Sequence, residues 1–120
     1  MQLFDRKTGA VDPKVLAYWS AHYDLANLVE RTWSERGSLL TGRIHLFVGT
    51  ADTFYLDGAA HKFEARLSRL GAEPHFTYLP GRSHFDLYVV DQDRAGLFDQ
   101  ISSEMYAVAR PGIHWKKEGK

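Results

Sequence analysis

Two short apolar segments separated by an amphipathic one constrain the fold of this chain more than any other feature of its sequence. The first, residues 44–48, is bounded by Gly42 and Gly49, which is typical of a buried strand. The second, HFTYLP at residues 75–80, combines aromatic and β-branched residues and predicts another strand. Apolar residues between them recur at helical spacing, as Ala60, Phe63, Leu67 and Leu70. The sequence therefore predicts a β-α-β unit, with Gly71 ending the helix.

This unit places two polar residues at one edge of the predicted sheet. A helical crossover of this length makes the two strands parallel, so their C-terminal ends emerge at the same edge. Asp52 follows the first strand and His84 follows the second, so we expect their side chains to lie side by side. Asp52 taken alone has two interpretations. It is either a turn residue that bonds its own backbone, or an acid held where open α/β sheets carry their chemistry.

A helical segment is predicted before the β-α-β unit. Asp12 is placed as its N-cap and Pro13 as its first residue, and apolar residues then recur at helical spacing. Gly37 is expected to end this helix, with residues 38–42 as a connector. In the central helix, Asp57 is expected to act as the N-cap.

Another helix is predicted after the second strand. Asp91 or Asp93 is its candidate cap, and Pro111 with Gly112 closes the segment. One face of it is apolar and comprises Leu97, Phe98, Ile101, Met105 and Val108. The expected fold class is therefore α/β, with a β-α-β core of two short parallel strands flanked by three to four helices.

The composition predicts a single domain over residues 1–120. With 44% hydrophobic residues, a chain of 120 residues can bury one core. Within it we expect a helical lead-in at 1–42, the β-α-β unit at 43–88, a final helix at 89–112 and a frayed polar tail at 113–120.

Charge and cysteine content narrow the classes of function. Fifteen basic residues balance fifteen acidic ones, which argues against binding to nucleic acid or to an anionic membrane. The absence of cysteine removes disulfides, thiolate catalysis and thiolate metal sites. No apolar run approaches the roughly 20 residues needed to span a bilayer, and the first residues do not resemble a leader peptide. We therefore expect a soluble protein, with the cytoplasm as the default compartment.

Two further groups of residues are candidate sites. The six histidines lack the paired spacing of metal ligands, so no metal or cofactor is expected. The first helical segment also carries four aromatic residues, Tyr18, Trp19, Tyr23 and Trp33. They could form the wall of an acyl or aryl pocket, but the favoured interpretation is that they are core or interface residues.

An acid on one loop and an imidazole on the next are the orienting acid and the general base of a nucleophilic triad. The carboxylate fixes the tautomer of the imidazole, which then takes a proton from a serine hydroxyl. Asp52 and His84 are the candidate catalytic residues, although isolated Asp and His residues at loop tips are commonly solvated turn residues. Gly49 and Gly81 permit sharp turns at both loops, and an acid before the histidine is the chain order of α/β-hydrolases.

The run GRIHLFVGTADTFYLDGAAHKFEARLSRLGAEPHFTYLPGRSHFDLY resembles the C-terminal part of an α/β-hydrolase, in particular the esterase branch of that superfamily. In such proteins a G-x-x-D turn after the seventh strand delivers the triad acid, and a G-x-x-H turn after the eighth delivers the histidine. Residues 49–52 and 81–84 match these turns, so the resemblance implies those two roles for Asp52 and His84. It also implies hydrolysis of a small carboxylic ester through an acyl-enzyme.

The nucleophile of such an enzyme is missing from this sequence. The G-x-S-x-G turn that carries the serine does not occur. Neither Ser83 nor Ser38 has the spacing of that turn, and we expect them to be turn or loop residues. At about 30 residues per β-α unit, a complete sheet would need about twice this length. We therefore expect the chain to be part of a hydrolase.

An incomplete sheet leaves edges and apolar faces uncovered, so the chain is expected to have a partner. That partner is either a second copy of the chain or a separate N-terminal half that carries the nucleophile. The alternative function is a non-catalytic remnant that serves as an assembly or interaction module. A weaker third hypothesis is a protein that binds a small ligand at the strand ends.

Overall fold

The computed structural model describes residues 3–112, which form four helices and two strands in an α/β arrangement. The elements are α1 (Pro13–Tyr23), α2 (Leu25–Leu40), β1 (His45–Gly49), α3 (Leu56–Arg69), β2 (His75–Leu79) and α4 (Gly96–Ala109). The predicted β-α-β order is confirmed, and β1 and β2 pair in a two-stranded parallel sheet. No helix among residues 3–112 is both long and apolar enough to cross a membrane.

Backbone hydrogen bonds fix the register of the two strands at both ends. At the start of the sheet, the N–H of His75 donates to the carbonyl of Ile44 at 2.9 Å. At its end, the N–H of Thr50 donates to the carbonyl of Leu79 at 3.0 Å. The loops that follow β1 and β2 therefore begin at the same level of the sheet.

The predicted helical lead-in consists of two helices, α1 and α2. Asp12 caps α1 as predicted, since its carboxylate accepts the N–H groups of Lys14 and Val15. At Asp24 the backbone becomes extended, and the carboxylate accepts the N–H of Asn27. An aspartate that bonds the backbone locally competes with a continuous helix, and here it starts a new one.

Gly37 does not end the helix, so that prediction was wrong. The indole of Trp33 lies over Gly37, and a Cβ atom at this position would come within 2.8 Å of the ring. The glycine therefore serves the packing of Trp33, and α2 continues to Leu40. Gly42, with φ of +69°, allows the chain to turn into β1.

The predicted caps of α3 and α4 were also wrong. Asp57 lies within the first turn of α3, which begins at Leu56. Ala95 is the N-cap of α4 and makes no capping hydrogen bond through its side chain. The carboxylate of Asp93 instead accepts the N–H of Ala95 in the turn before the helix. The end of α3 before Gly71 and the end of α4 before Pro111 agree with the predictions.

The described residues fall into two compact units, one of residues 3–46 with Gly58–Thr77, the other of Phe47–Asp57 with residues 78–112. Buried apolar residues of the first are Val15, Ala60, Leu67 and Ala72. Those of the second are Val48, Leu87 and Leu97. Both candidate catalytic residues belong to the second unit. The single-domain organisation stays a prediction, and the tail at 113–120 lies outside the described residues.

Candidate acid–base site

The structure brings Asp52 and His84 together, as the parallel strands predicted. The Nδ1 atom of His84 lies 2.9 Å from Oδ2 of Asp52. The side chain of Asp52 is only 1% exposed, whereas that of His84 is 37% exposed. A buried acid therefore holds one edge of an imidazole that solvent can still reach.

The other carboxylate oxygen of Asp52 serves the backbone. Oδ1 accepts the N–H of Phe54 at 2.8 Å and the N–H of Leu56, the first residue of α3, at 3.3 Å. The interpretation as a turn residue is therefore confirmed for Oδ1, while Oδ2 faces the histidine and the catalytic interpretation stays a prediction. The turn bonds of Oδ1 fix the carboxylate, so Oδ2 is held in place for the histidine.

These bonds determine the charge of the site. Burial acts to raise the pKa of Asp52, but the hydrogen bonds from the Phe54 N–H, the His84 ring and the Leu56 N–H outweigh it and lower the pKa below its ordinary value of 3.8. Asp52 is therefore ionised at neutral pH, and an ionised carboxylate only accepts hydrogen bonds. Nδ1 of His84 must carry the shared proton, so in the neutral ring Nε2 is the basic nitrogen.

The two loops are held against each other by close backbone contact at Gly49. A Cβ atom at Gly49 would lie 2.0 Å from the carbonyl oxygen of Arg82. The same carbonyl accepts the N–H of Ala51 at 3.0 Å. Glycine in the first turn therefore lets the histidine loop approach closely enough to meet Asp52.

A side chain that the sequence analysis missed makes the second link between the loops. The N–H of Gly81 donates to Oγ1 of Thr50 at 2.8 Å, and Gly81 itself has φ of +69°, a region that favours glycine. Nothing in the spacing marked Thr50, although a hydroxyl directly after a strand often bonds a neighbouring turn.

Asp86 shapes the histidine loop. Its Oδ1 accepts both the N–H and the hydroxyl of Ser83, at 2.6 and 2.8 Å. These bonds, the hydroxyl first, lower the pKa of Asp86 despite its partial burial, with a contribution from Arg82. Ser83 is therefore a turn residue, as predicted, and its hydroxyl donates to Asp86. Ser38 lies within α2 and not in a loop.

Two exposed aromatic rings flank the imidazole. Phe54 follows the acid and Phe85 follows the histidine, and both rings meet the His84 ring nearly edge to face, with centroids 5.0 and 5.8 Å away. Neither residue was singled out from the sequence. The signal available was a large apolar residue in a loop directly beside a candidate site residue.

The other candidate clusters do not form a comparable site. Within residues 3–112 no group of three or more metal-ligating side chains occurs; the rings of His45 and His75 pair with centroids 4.6 Å apart. His114 lies outside the described residues. Tyr18, Trp19 and Tyr23 are exposed on α1, so they are not core residues. Their role in an interface stays a prediction.

No protein-family model matches the chain, and no curated protein or solved structure resembles it at a significant level. A functional interpretation must therefore stand on the residues of the site and their geometry.

Proposed function

We propose that this chain is the acid–base portion of a serine hydrolase that cleaves small carboxylic esters, equivalent to the C-terminal part of an α/β-hydrolase sheet. The observation that supports it most is the 2.9 Å contact between a buried acid and a partly exposed imidazole. The residues stand after neighbouring parallel strands, in the order acid then histidine. This order and position are those of the hydrolase triad.

In this proposal His84 is the general base and Asp52 the orienting acid. Nε2 removes the proton of a serine hydroxyl as its oxygen attacks the ester carbonyl. The carboxylate of Asp52 then faces a protonated ring and stabilises it. The proton passes from Nε2 to the departing alcohol, which leaves an acyl-enzyme, and a water activated by the same nitrogen releases the acid. The steps transfer only protons and an acyl group, so no metal or cofactor is invoked.

The nucleophile comes from outside this sequence, which lacks the G-x-S-x-G turn. Exposed apolar side chains on α1 and α4 support a partner, because large apolar surfaces are commonly covered in assemblies. They include Leu16, Trp19, Tyr23, Phe98, Met105 and Val108. The partner is a second copy or a separate chain with the nucleophile, and the setting is the cytoplasm.

The same exposed surface favours one alternative function. A hydrolase remnant without catalysis would retain the sheet and use its uncovered apolar helices as an assembly module. A remnant would not use the basicity of Nε2 on His84, so an unreactive ring would favour the remnant over the hydrolase.

The first test is hydrolysis of p-nitrophenyl acetate by the chain and by three variants. An imidazole whose other nitrogen is held by a carboxylate attacks this activated ester without a serine. We expect turnover above buffer of which His84→Ala removes the larger part, and Asp52→Asn should reduce that part at least about tenfold, because an amide favours the wrong tautomer of the ring. His61→Ala, which removes an exposed histidine from α3, is the matched control and should leave turnover unchanged.

Labelling with a fluorophosphonate on the same samples tests where the nucleophile lies. We expect no labelling of this chain. Turnover that is equal in the parent chain and in His84→Ala would contradict the acid–base proposal and favour the remnant. Labelling that both site substitutions abolish would show instead that this chain supplies its own nucleophile.

A further inference from the structure

Three rings meet around the candidate base. The rings of Phe54 and Phe85 contact each other as well as His84, with centroids 5.8 Å apart and planes inclined by 65°. Their planes are inclined to the imidazole by 78° and 84°. Each pair of rings is therefore steeply inclined, and we call the three rings of Phe54, His84 and Phe85 the aromatic cluster.

This aromatic cluster leaves apolar surface open to solvent beside the imidazole of His84. Phe54 is 56% exposed and Phe85 is 72% exposed. Both are held in tight turns, since the Phe54 N–H donates to Asp52 and the Phe85 N–H donates to Oγ of Ser83. The hydrogen bonds that position the acid and the histidine loop therefore also hold the backbone from which these two rings project.

The arrangement favours a flat aromatic group over an aliphatic one. Aromatic pairs prefer offset stacking or edge-to-face contact, and an added ring can stack on one face of the aromatic cluster while meeting another ring edge-on. An alkyl group of equal size gains only from the apolar area that it covers.

We propose that Phe54 and Phe85 bind the aryl group of an aromatic carboxylic ester and thereby hold its carbonyl beside His84, where the serine oxygen attacks it. The inference rests on the proposed function for the identity of the bound group. Because both phenylalanine centroids lie within 6 Å of the imidazole centroid, an aryl ring bound to them would lie beside His84, which suits an ester whose aryl group is attached directly or nearly directly to the carbonyl.

The test is binding of benzamide and of cyclohexanecarboxamide to the full chain, followed by NMR of the His84 ring. The two amides match in size and polarity, differ in aromaticity and are not hydrolysed here, so binding is read without a nucleophile. We expect benzamide to shift the His84 signals and to bind at least about threefold more tightly than cyclohexanecarboxamide. Phe85→Ala should weaken benzamide binding by at least about threefold.

Two variants control this experiment. Phe98→Ala removes a ring of matched exposure, 54%, that stacks on Tyr88, and should leave benzamide binding unchanged. Phe85→Leu keeps an apolar side chain in the turn and should lose the preference for the aromatic amide. Equal binding of the two amides to the parent chain, or unchanged benzamide binding in Phe85→Ala, overturns the proposal.

The outcome separates this inference from the proposed function. Benzamide binding without hydrolysis of p-nitrophenyl acetate that depends on His84 would reject the hydrolase while the aryl site stands. Hydrolysis that depends on His84 without a preference for benzamide would reject the aryl site alone.

Discussion

Asp52 performs two tasks with one carboxylate. Oδ1 accepts two backbone N–H groups and so begins α3, while Oδ2 accepts the ring proton of His84. Each set of bonds favours the ionised form, and together they outweigh the cost of its burial. Folding and the candidate chemistry therefore depend on the same negative charge, so the protonation of Asp52 affects both.

The stability of the chain should fall in acid, partly through Asp52. Its pKa is lower in the folded chain than the ordinary 3.8, so near that pH the unfolded chain binds more protons. The stabilising contribution is fully present above 3.8 and is lost as the pH falls through the folded value. We expect thermal unfolding, followed by circular dichroism, to show a smaller loss of stability below about pH 4 in Asp52→Asn than in the parent chain.

Asp86→Asn provides the comparison, because the pKa of Asp86 is lowered by other partners, chiefly Ser83. The Asp86→Asn substitution should remove a second, separate part of the loss of stability in acid. If Asp52→Asn lost stability as steeply as the parent chain below about pH 4, the folded carboxylate would not be held in its ionised form as described.

At the scale of the elements, the close approach of the two loops depends on Gly49. Gly49→Ala places a methyl group against the carbonyl of Arg82, a backbone atom that cannot move without displacing the histidine loop. We expect a loss of about 1–3 kcal/mol in the free energy of unfolding, measured with urea, because the added atom has no space. NMR of His84 should also show a weakened bond to Asp52.

Gly58→Ala is the matched control for this substitution. Gly58 lies in α3, and nothing lies within 4 Å of the position that its Cβ atom would occupy. Alanine there should stabilise the chain by up to about 1 kcal/mol through helix propensity. A Gly49→Ala chain as stable as the parent would contradict the tight contact between the loops.

Features that depend on residues near in sequence could be predicted, whereas features that depend on residues brought together by the fold could not. Strand ends, helical spacing and Gly71 are local signals, so the β-α-β unit and the meeting of Asp52 with His84 were predictable. The role of Gly37 depends on the position of the Trp33 indole, which spacing does not encode. Phe54 and Phe85 were missed for the same reason, since a ring in a turn becomes informative only when its neighbours are known.

The molecule as a whole exposes more large apolar side chains than its small buried cores would suggest. On α1 the rings of Trp19 and Tyr23 pack against each other with centroids 5.2 Å apart, yet both remain largely exposed. On α4, Met105 and Val108 are exposed as well. Large apolar side chains exposed on a helix are typical of a protein–protein interface. A partner on either helix stays a prediction.

Self-association through α1 is the partner arrangement that can be tested first. In sedimentation velocity, we expect the sedimentation coefficient of the parent chain to rise with concentration, and Trp19→Glu to reduce this rise by removing apolar surface and adding charge. Ser34→Glu on the exposed surface of α2 adds the same charge without removing an aromatic ring, and should behave as the parent does. A parent chain that sediments as a monomer at every concentration would contradict self-association. In that case we would expect a different chain, such as the one that carries the serine, to cover the exposed side chains of α1.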